Sequence, residues 1–365
     1  MARLPSPHAK FGNVQWLGMT ARVRVHLLTY KRPKLLGRAL KSLLAQTLQD
    51  WTCELHNDAP DDPSPGELCQ LINDPRIHYV PHERNLGPTA TFNLLFKDAS
   101  EPYLSLLEDD NWWERDFLEE MVATLERFPH VDVAWCNQNC WQEEADGTWT
   151  DLHRTVWQVE GTNEPRLIAW PQPYQISGAL HSNGSMLLRS RHAAEYRIPD
   201  ETPFDIIEHV RERTFSYPIL FVPQTLANFS ITQGSARNSN KAIWGQSQLL
   251  LASTFLRHTS LSTSTLQSLW QSRRASTPRS TGVLFHTAIV GVERRRLLKN
   301  ATVRDWLHFL KVTFRRPIIT CQILRSQRCF PVLSNFLDLA TQERNVEGSA
   351  AKQSMNIWEK KTVKT

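Results

Sequence analysis

Cysteine is scarce in this chain of 365 residues. There are six, at Cys53, Cys69, Cys136, Cys140, Cys321 and Cys329, and none forms a C-x-x-C pair. Such spacing argues against a disulfide framework or a cysteine zinc site, and it leaves free thiols of a reducing compartment as the expectation. Long apolar runs are missing too. No window reaches the about 18 uninterrupted apolar residues that a membrane-crossing helix needs, and the opening residues MARLPSPHAKFGNVQWLG hold no apolar core of signal-peptide length. The expectation is a cytoplasmic protein without a membrane span.

The modest net charge of +5 conceals an asymmetry. Residues 241–365 carry 20 Lys and Arg against 6 Asp and Glu, which leaves 22 basic and 31 acidic residues in 1–240. The first part is thus acidic and the second strongly basic, and a boundary near Asn240 follows, with different partners for the two parts. The expected organisation is an N-terminal extension over 1–21, a catalytic domain over 22–240, a basic, mainly helical region over 241–347, and a polar, disordered tail over 348–365.

The acidic part alternates strands with helices. Val23 to Thr29, Thr52 to His56, Ile77 to Val80, Tyr103 to Leu107, Val131 to Cys136 and Ile219 to Val222 read as strands. Helices are expected over Pro33 to Leu48, Pro88 to Lys97 and Glu114 to Phe128. This order predicts an α/β fold, a mostly parallel central sheet flanked by helices. Ligands of such sheets lie at the carboxyl ends of the strands, where Thr29, Asp58 and Asp109 fall.

The densest chemistry is in YLSLLEDDNWWERD, Tyr103 to Asp116. An apolar strand there ends in Glu108, Asp109 and Asp110. Adjacent like charges raise one another's pKa, and a hard divalent cation relieves them. The competing reading is an acidic turn ahead of a helix, favoured by the helix dipole.

Four motifs in order, TYKRP at 29–33, HNDAPDD at 56–62, ERNLGPTATFN at 83–93 and LLEDDNWWERDFLEEM at 106–121, resemble the nucleotide-binding half of family 2 glycosyltransferases. Those enzymes have the GT-A fold, and the acidic motif with Asn111 after it is similar to that of SpsA-type members. The resemblance runs from Val23 to Asn238 and is weaker beyond Cys140.

It implies transfer of a sugar from a nucleotide-diphosphate donor, UDP- or dTDP-linked, to a glycan or lipid-linked hydroxyl, with inversion and with Mg²⁺ or Mn²⁺, in bacterial surface polysaccharide synthesis. Thr29, Tyr30, Arg32, Asp58, Arg84 and Asn85 would bind the nucleotide sugar. Asp109 would face the ribose or a metal-bound water, and Asp110 the metal itself. The catalytic base would come from PDETPFDIIEHVRER, with Asp205 the better match and Glu208, on the same helix face, its rival. Trp112, Trp113, Asn183 and Gly184 would line the acceptor side, where Gly178 and Gly184 leave room for a sugar. Gln233, Ser235 and Arg237 stand where the family places a further ligand to the diphosphate.

The basic part shows no catalytic pattern. Val303, Trp306, Leu307, Leu310 and Phe314 recur at helical spacing, with basic residues around them. Two uses fit such a helix: packing on the catalytic domain, or lying on the anionic inner face of a membrane. No nucleic-acid motif accompanies the charge, so no specific nucleic-acid partner is expected. Two other functions stay open, a degenerate nucleotide-sugar-binding scaffold and a nucleotidyltransferase, although no Gly-rich phosphate loop follows the first strand to support the latter.

Overall fold

The protein is represented by a computed structural model that describes residues 21–159, 161–233, 240–276, 281–291 and 294–344. Ser235, Arg237, the tail over 348–365 and all of the N-terminal extension except Ala21 lie outside the described residues.

Alternation of buried side chains along a strand needs partners on both faces, and the sheet supplies them. Its strands are β1 (Val23–Thr29), β2 (Trp51–Asn57), β3 (Ile77–Pro81), β4 (Tyr103–Glu108), β5 (Trp112–Trp113), β6 (Val133–Glu143), β7 (Trp149–Thr155), β8 (Arg166–Ile168), β9 (Met186–Arg189) and β10 (Ile219–Ile231). They run in the order β3-β2-β1-β4-β9-β6-β10-β5, with β7 on β6 and β8 on β10. The β3-β2-β1-β4 part is parallel throughout. Beyond it the sheet is mixed, because β9 pairs antiparallel with both β4 and β6.

Helices α1 (Pro33–Leu44), α2 (Ser64–Ile72), α3 (Pro88–Phe92), α4 (Phe117–Arg127) and α5 (Ile207–Arg211) connect these strands. In α1, Pro33 takes a first-turn position that its fixed φ suits, and Leu36, Ala39, Leu40 and Leu43 form the buried stripe. The helix stops short of the expected Leu48 because Gln46 turns inward: its amide donates to Ser42 O and Glu114 O and accepts from Leu118 N. One core joins α1 and α4 to the sheet through Val25, Leu27, Leu40, Leu107 and Met121, all fully buried. Each such side chain contributes about 1.5–3 kcal/mol of transfer free energy. On the opposite face a second core gathers Leu28, Phe96, Leu106, Trp135 and Ile207.

The C-terminal part is helical: α6 (Lys241–His258), α7 (Thr263–Ser276), α8 (Gly282–Val290), α9 (Arg294–Leu298), α10 (Val303–Arg315), α11 (Pro317–Leu324), α12 (Ser326–Cys329) and a further helix over 331–344. Asn240 caps α6 by accepting from Ala242 N and Ile243 N. Leu250 and Leu251 of α6, with Leu333 and Leu337, enter the second core beneath the sheet. A third core forms around Trp270, Phe285 and Phe309. No helix among the described residues is long and apolar enough to cross a membrane, and all six cysteines are free.

Candidate active site

Parallel pairing brings the ends of β1, β2 and β4 to one edge, and the polar residues that follow them converge there. Asp58 N donates to Thr29 O at 3.0 Å and Asp109 N to Leu28 O at 3.1 Å, so the sheet's own ladder sets the spacing of the two carboxylates. Asp109 is buried. It accepts from Thr29 Oγ1 at 2.9 Å and from Tyr30 N at 3.3 Å. Arg32 Nη1 reaches both Asp110 Oδ2, at 2.7 Å, and Asp109 Oδ1, at 3.5 Å. Tyr30 is exposed beside them.

Burial and the neighbouring Asp110 charge push the Asp109 carboxyl up to about 7, against the pull of Arg32 and Thr29. Burial likewise raises Asp110, with Arg32 opposing. Glu108 is raised well above its ordinary value, by burial and by Asp110 and Glu208. Three consecutive carboxyls thus all favour protonation although Arg32 reaches two of them, an excess of negative charge that a hard divalent cation such as Mg²⁺ or Mn²⁺ would relieve.

Asp58 organises the next loop. It accepts from Leu86 N at 2.7 Å and Gly87 N at 3.1 Å, and faces His82 Nδ1 at 2.9 Å. Gly87 has φ of 81°, a left-handed conformation that glycine adopts without steric cost. Arg84 and Asn85 project to solvent from this loop and touch none of the carboxylates.

The segment 176–190 closes the other side. Glu208 Oε1 accepts from Asn183 N at 2.8 Å, and Arg211, fully buried, donates to Asn183 Oδ1 at 3.2 Å and Asn93 Oδ1 at 3.0 Å. Burial pushes the Arg211 guanidinium down to about 9, with Glu208 opposing. Asp205 stands one helical step earlier, partly buried in the short 3-10 turn Phe204–Ile206. The space at Gly184 is already taken: a Cβ there would lie 2.7 Å from Glu108 Oε2 and 3.0 Å from Asn111 Nδ2. At Gly178 the Tyr174 ring fills the same room. Asn111 in turn donates to Glu108 Oε2 at 2.7 Å and accepts from Ser230 N at 3.0 Å.

The two tryptophans separate. Trp113 is buried, stacked on Phe117 at 4.3 Å with Nε1 donating to Gly184 O at 2.8 Å. Trp112 is half-buried and meets Trp141 and Trp149 edge-on or tilted. Between Trp112 and Trp149 lies the Arg38 guanidinium, 3.8 and 3.9 Å from the two ring centres, donating to Asp110 O at 2.7 Å. Sequence reasoning missed Arg38. On a helix it reads as a solvated charge, and the signal that reveals it is the distant Trp149. Gln233 N donates to Glu143 Oε2 at 3.1 Å.

Residues 25–190 match the profile described as glycosyl transferase family 2. The chain carries a family 2 glycosyltransferase domain. Curated relatives include a glycosyltransferase, GlyA, of Streptococcus pneumoniae, 27% identical over 124 residues, 33% of this chain and 17% of that protein. A putative colanic acid biosynthesis glycosyl transferase, WcaA, of Escherichia coli is 30% identical over 104 residues, 28% of this chain and 37% of that protein. An uncharacterized protein of Sinorhizobium fredii, y4gI, is 25% identical over 215 residues, 58% of this chain. The chain spans only 22% of that relative's length, so the likeness is to one region of a longer protein. Among solved structures, TarS residues 1–349 of S. aureus in complex with UDP superposes with a TM-score of 0.55 at 13% identity, covering 81% of this chain and 92% of that one. That likeness is one of fold. The family 2 domain is therefore built on the GT-A architecture, a curled mixed sheet with flanking helices, and is followed by a helical C-terminal part.

Proposed function

We propose that the protein transfers a glycosyl group from a nucleotide-diphosphate sugar to a hydroxyl of a glycan or lipid-linked acceptor, with inversion, in surface polysaccharide synthesis. The observation that carries this reading is the Thr29–Asp109–Arg32–Asp110 cluster at the carboxyl edge of the parallel strands, with Asp58 one strand away. TarS has been solved with UDP and with UDP-GlcNAc, which supports a UDP-sugar, and the WcaA name supports a polysaccharide product. Boundaries at about residues 22 and 240 and a cytoplasmic location at the inner membrane face belong to the same proposal.

Asp58, Asp109 and Tyr30 bind and orient the nucleoside, and the loop of Arg84 and Asn85 covers it. Asp110, with Asp109 beside it, would hold Mg²⁺ or Mn²⁺, whose role when bound is to neutralise charge developing on the leaving diphosphate. Asp205 takes the proton of the acceptor hydroxyl as that oxygen bonds to the anomeric carbon and the bond to the diphosphate oxygen breaks. Glu208, already engaged with Asn183 N and lying near Arg211, is a positioning residue that fixes Gly184 against Glu108. Trp112 offers the sugar an aromatic face.

The test is release of nucleoside diphosphate from a panel of sugar nucleotides, with Mg²⁺ or Mn²⁺ and with chelator. Metal-dependent turnover of one donor is the expected result. Absence of nucleotide binding by calorimetry would overturn the reading, and binding without turnover of any donor, with candidate acceptors present, would favour a degenerate scaffold.

A further inference from the structure

On the sheet face opposite α1 and α4, three metal-ligating side chains meet where the proposed reaction has no use for them. His26 of β1 lies directly across from Glu54 of β2 in the parallel register, and His56 follows two residues along the same face. The two imidazoles stack at 5.3 Å with 6° between their planes. His26 is buried, and its Nδ1 has no hydrogen-bond partner. Glu54 Oε2 lies 3.7 Å from that nitrogen, too far for a hydrogen bond, and 3.2 Å from His56 Nε2. All three ligand atoms lie within 4.8 Å of one another.

The separations of 3.2 and 3.7 Å bracket the spacing of ligand atoms around a shared ion. Tetrahedral zinc at its usual bond lengths of about 2.0–2.1 Å sets neighbouring ligand atoms about 3.3 Å apart. A buried, orphaned imidazole nitrogen aimed at a carboxylate across such a gap is a costly arrangement without something between them.

The surrounding groups complete a set that fits a metal. Arg24 Nη1 holds the other oxygen of Glu54, Oε1, at 3.3 Å, and Arg24 Nη2 pairs with Glu101 at 2.6 Å, so Oε2 alone is left to bind. His56 Nδ1 faces His82 Nε2 at 3.2 Å, and His82 Nδ1 faces Asp58 Oδ1 at 2.9 Å. If His56 Nε2 carries a lone pair for a metal, its proton sits on Nδ1 and is donated to His82, whose own Nδ1 proton is donated to Asp58. Every contact is then satisfied with two neutral rings. If His56 Nε2 instead donates to Glu54, its Nδ1 must accept from His82, which then needs protons on both nitrogens to bond Asp58 as well. Outer groups that fix a ligand's tautomer in this way are a general property of histidine metal sites.

We propose that His26 Nδ1, Glu54 Oε2 and His56 Nε2 form a second metal site, for Zn²⁺ or a similar borderline transition metal, distinct from the acidic site of Asp109 and Asp110. Two imidazoles and one carboxylate favour Zn²⁺ over Mg²⁺, which prefers oxygen alone. Glu54 is partly exposed and gives the ion and its fourth ligand, a water, a way in. Through His56 and His82 the site braces Asp58 and the loop at Leu86 and Gly87 that Asp58 holds. The site itself does not depend on the glycosyl-transfer reading.

The test uses the full chain, stripped by chelator and titrated with Zn²⁺ by calorimetry in excess Mg²⁺, with Co²⁺ absorption as a report on tetrahedral nitrogen and oxygen ligation. One Zn²⁺ per chain, a raised thermal midpoint, and affinity reduced at least ~10-fold in His26→Gln and in Glu54→Gln are expected, with Asp110→Asn binding as the wild type does. Glu54→Gln changes a partly exposed residue and preserves the fold, which circular dichroism of the metal-free variant verifies. No binding by the wild type, affinity unchanged in Glu54→Gln, or binding lost in Asp110→Asn would each overturn the proposal, the last by locating the ion at the acidic run.

Discussion

Arg32 Nη1 stands 2.7 Å from Asp110 Oδ2. The guanidinium thus gives the carboxylate proposed to hold the metal a positive partner from within the chain, and on that proposal a diphosphate arriving with its cation would share the carboxylate or displace the arginine. Asp110→Ala is expected to lower metal-dependent release of nucleoside diphosphate by about 10²-fold or more, as removal of a preorganised charge-stabilising group does. Arg32→Ala is expected to lower the metal concentration needed for half-maximal rate, because its competition for Asp110 is gone, while weakening nucleotide affinity. A metal titration of initial rates checks both, and an unchanged metal requirement in Arg32→Ala would refute the competition.

The proposed roles assign the base to Asp205 and the supporting contact to Glu208. Glu208 accepts from Asn183 N at 2.8 Å, and Arg211 anchors the same asparagine at its side chain. Asp205→Asn is therefore expected to cut kcat by about 10²–10⁴-fold with donor affinity retained. Glu208→Gln, which keeps an oxygen for Asn183 N, should lose far less. Steady-state kinetics with donor binding by calorimetry decides between them; a larger loss of kcat in Glu208→Gln than in Asp205→Asn would move the base to Glu208.

What could be read from the sequence and what could not divide along physical lines. The run Tyr103 to Leu107 with its acidic end was legible because a buried strand and its polar terminus are local properties, and β4 spans it. β9 was invisible as a strand, since Met186 to Arg189 finds its partners, β4 and β6, some fifty to eighty residues away in the chain. Ile219 to Val222 was expected as one strand, and the family resemblance implied a terminal strand and loop from Ala227 onward. The two form a single strand, β10, across Pro223, which lacks an N–H for the ladder, because register shifts between Val222 and Ala227 absorb the irregularity. Pro88 to Lys97 was expected as one helix. It breaks after Phe92 into a 3-10 turn, where Asn93 turns inward to donate to Ile198 O and Asp200. PDETPFDIIEHVRER was read only for its candidate carboxylates Asp205 and Glu208, yet further along it Arg211, Glu212 and Arg213 are all buried. Charge predicts exposure on average, and only tertiary partners overturn it.

Glu212 is the stability consequence of that burial. Desolvation alone would raise its carboxyl. Hydrogen bonds from His181, whose N and Nδ1 lie 2.7 and 2.9 Å from Oε1, and from Gln175 Nε2 at 2.9 Å outweigh it and hold the group below its ordinary value. A folded pKa below the unfolded one means that the stabilisation is present above about pH 4.3 and is lost as pH falls through the folded value. Glu212→Gln should cost about 3 kcal/mol at pH 7, the lower end for breaking a buried pair, and progressively less below pH ~4. Urea unfolding of both proteins at the two pH values measures this, and equal loss at both would show that the effect is packing rather than charge.

The C-terminal helices carry the remaining prediction. α10 buries Phe309 and Asp305 against its neighbours and turns Val303, Leu307, Leu310 and Phe314 outward, with exposures of 76%, 63%, 42% and 79%. Spaced by four, three and four residues, these four lie on one helical face. Ile318, 73% exposed in α11, sits a further turn beyond in the sequence, and Arg304, Lys311, Arg315 and Arg316 are exposed around them. An apolar stripe edged by cations fits the boundary of an anionic bilayer, where each Lys or Arg near the surface contributes about 1 kcal/mol and the stripe leaves water. Leu307→Glu combined with Phe314→Glu should reduce cosedimentation with vesicles of mixed anionic and zwitterionic lipid by at least ~10-fold, since both changes oppose burial in the lipid and add like charge to its surface. Both side chains already face solvent, so the thermal midpoint should move little. Binding that survives the double substitution, or that is the same for purely zwitterionic vesicles, would assign α10 to packing against another protein surface instead.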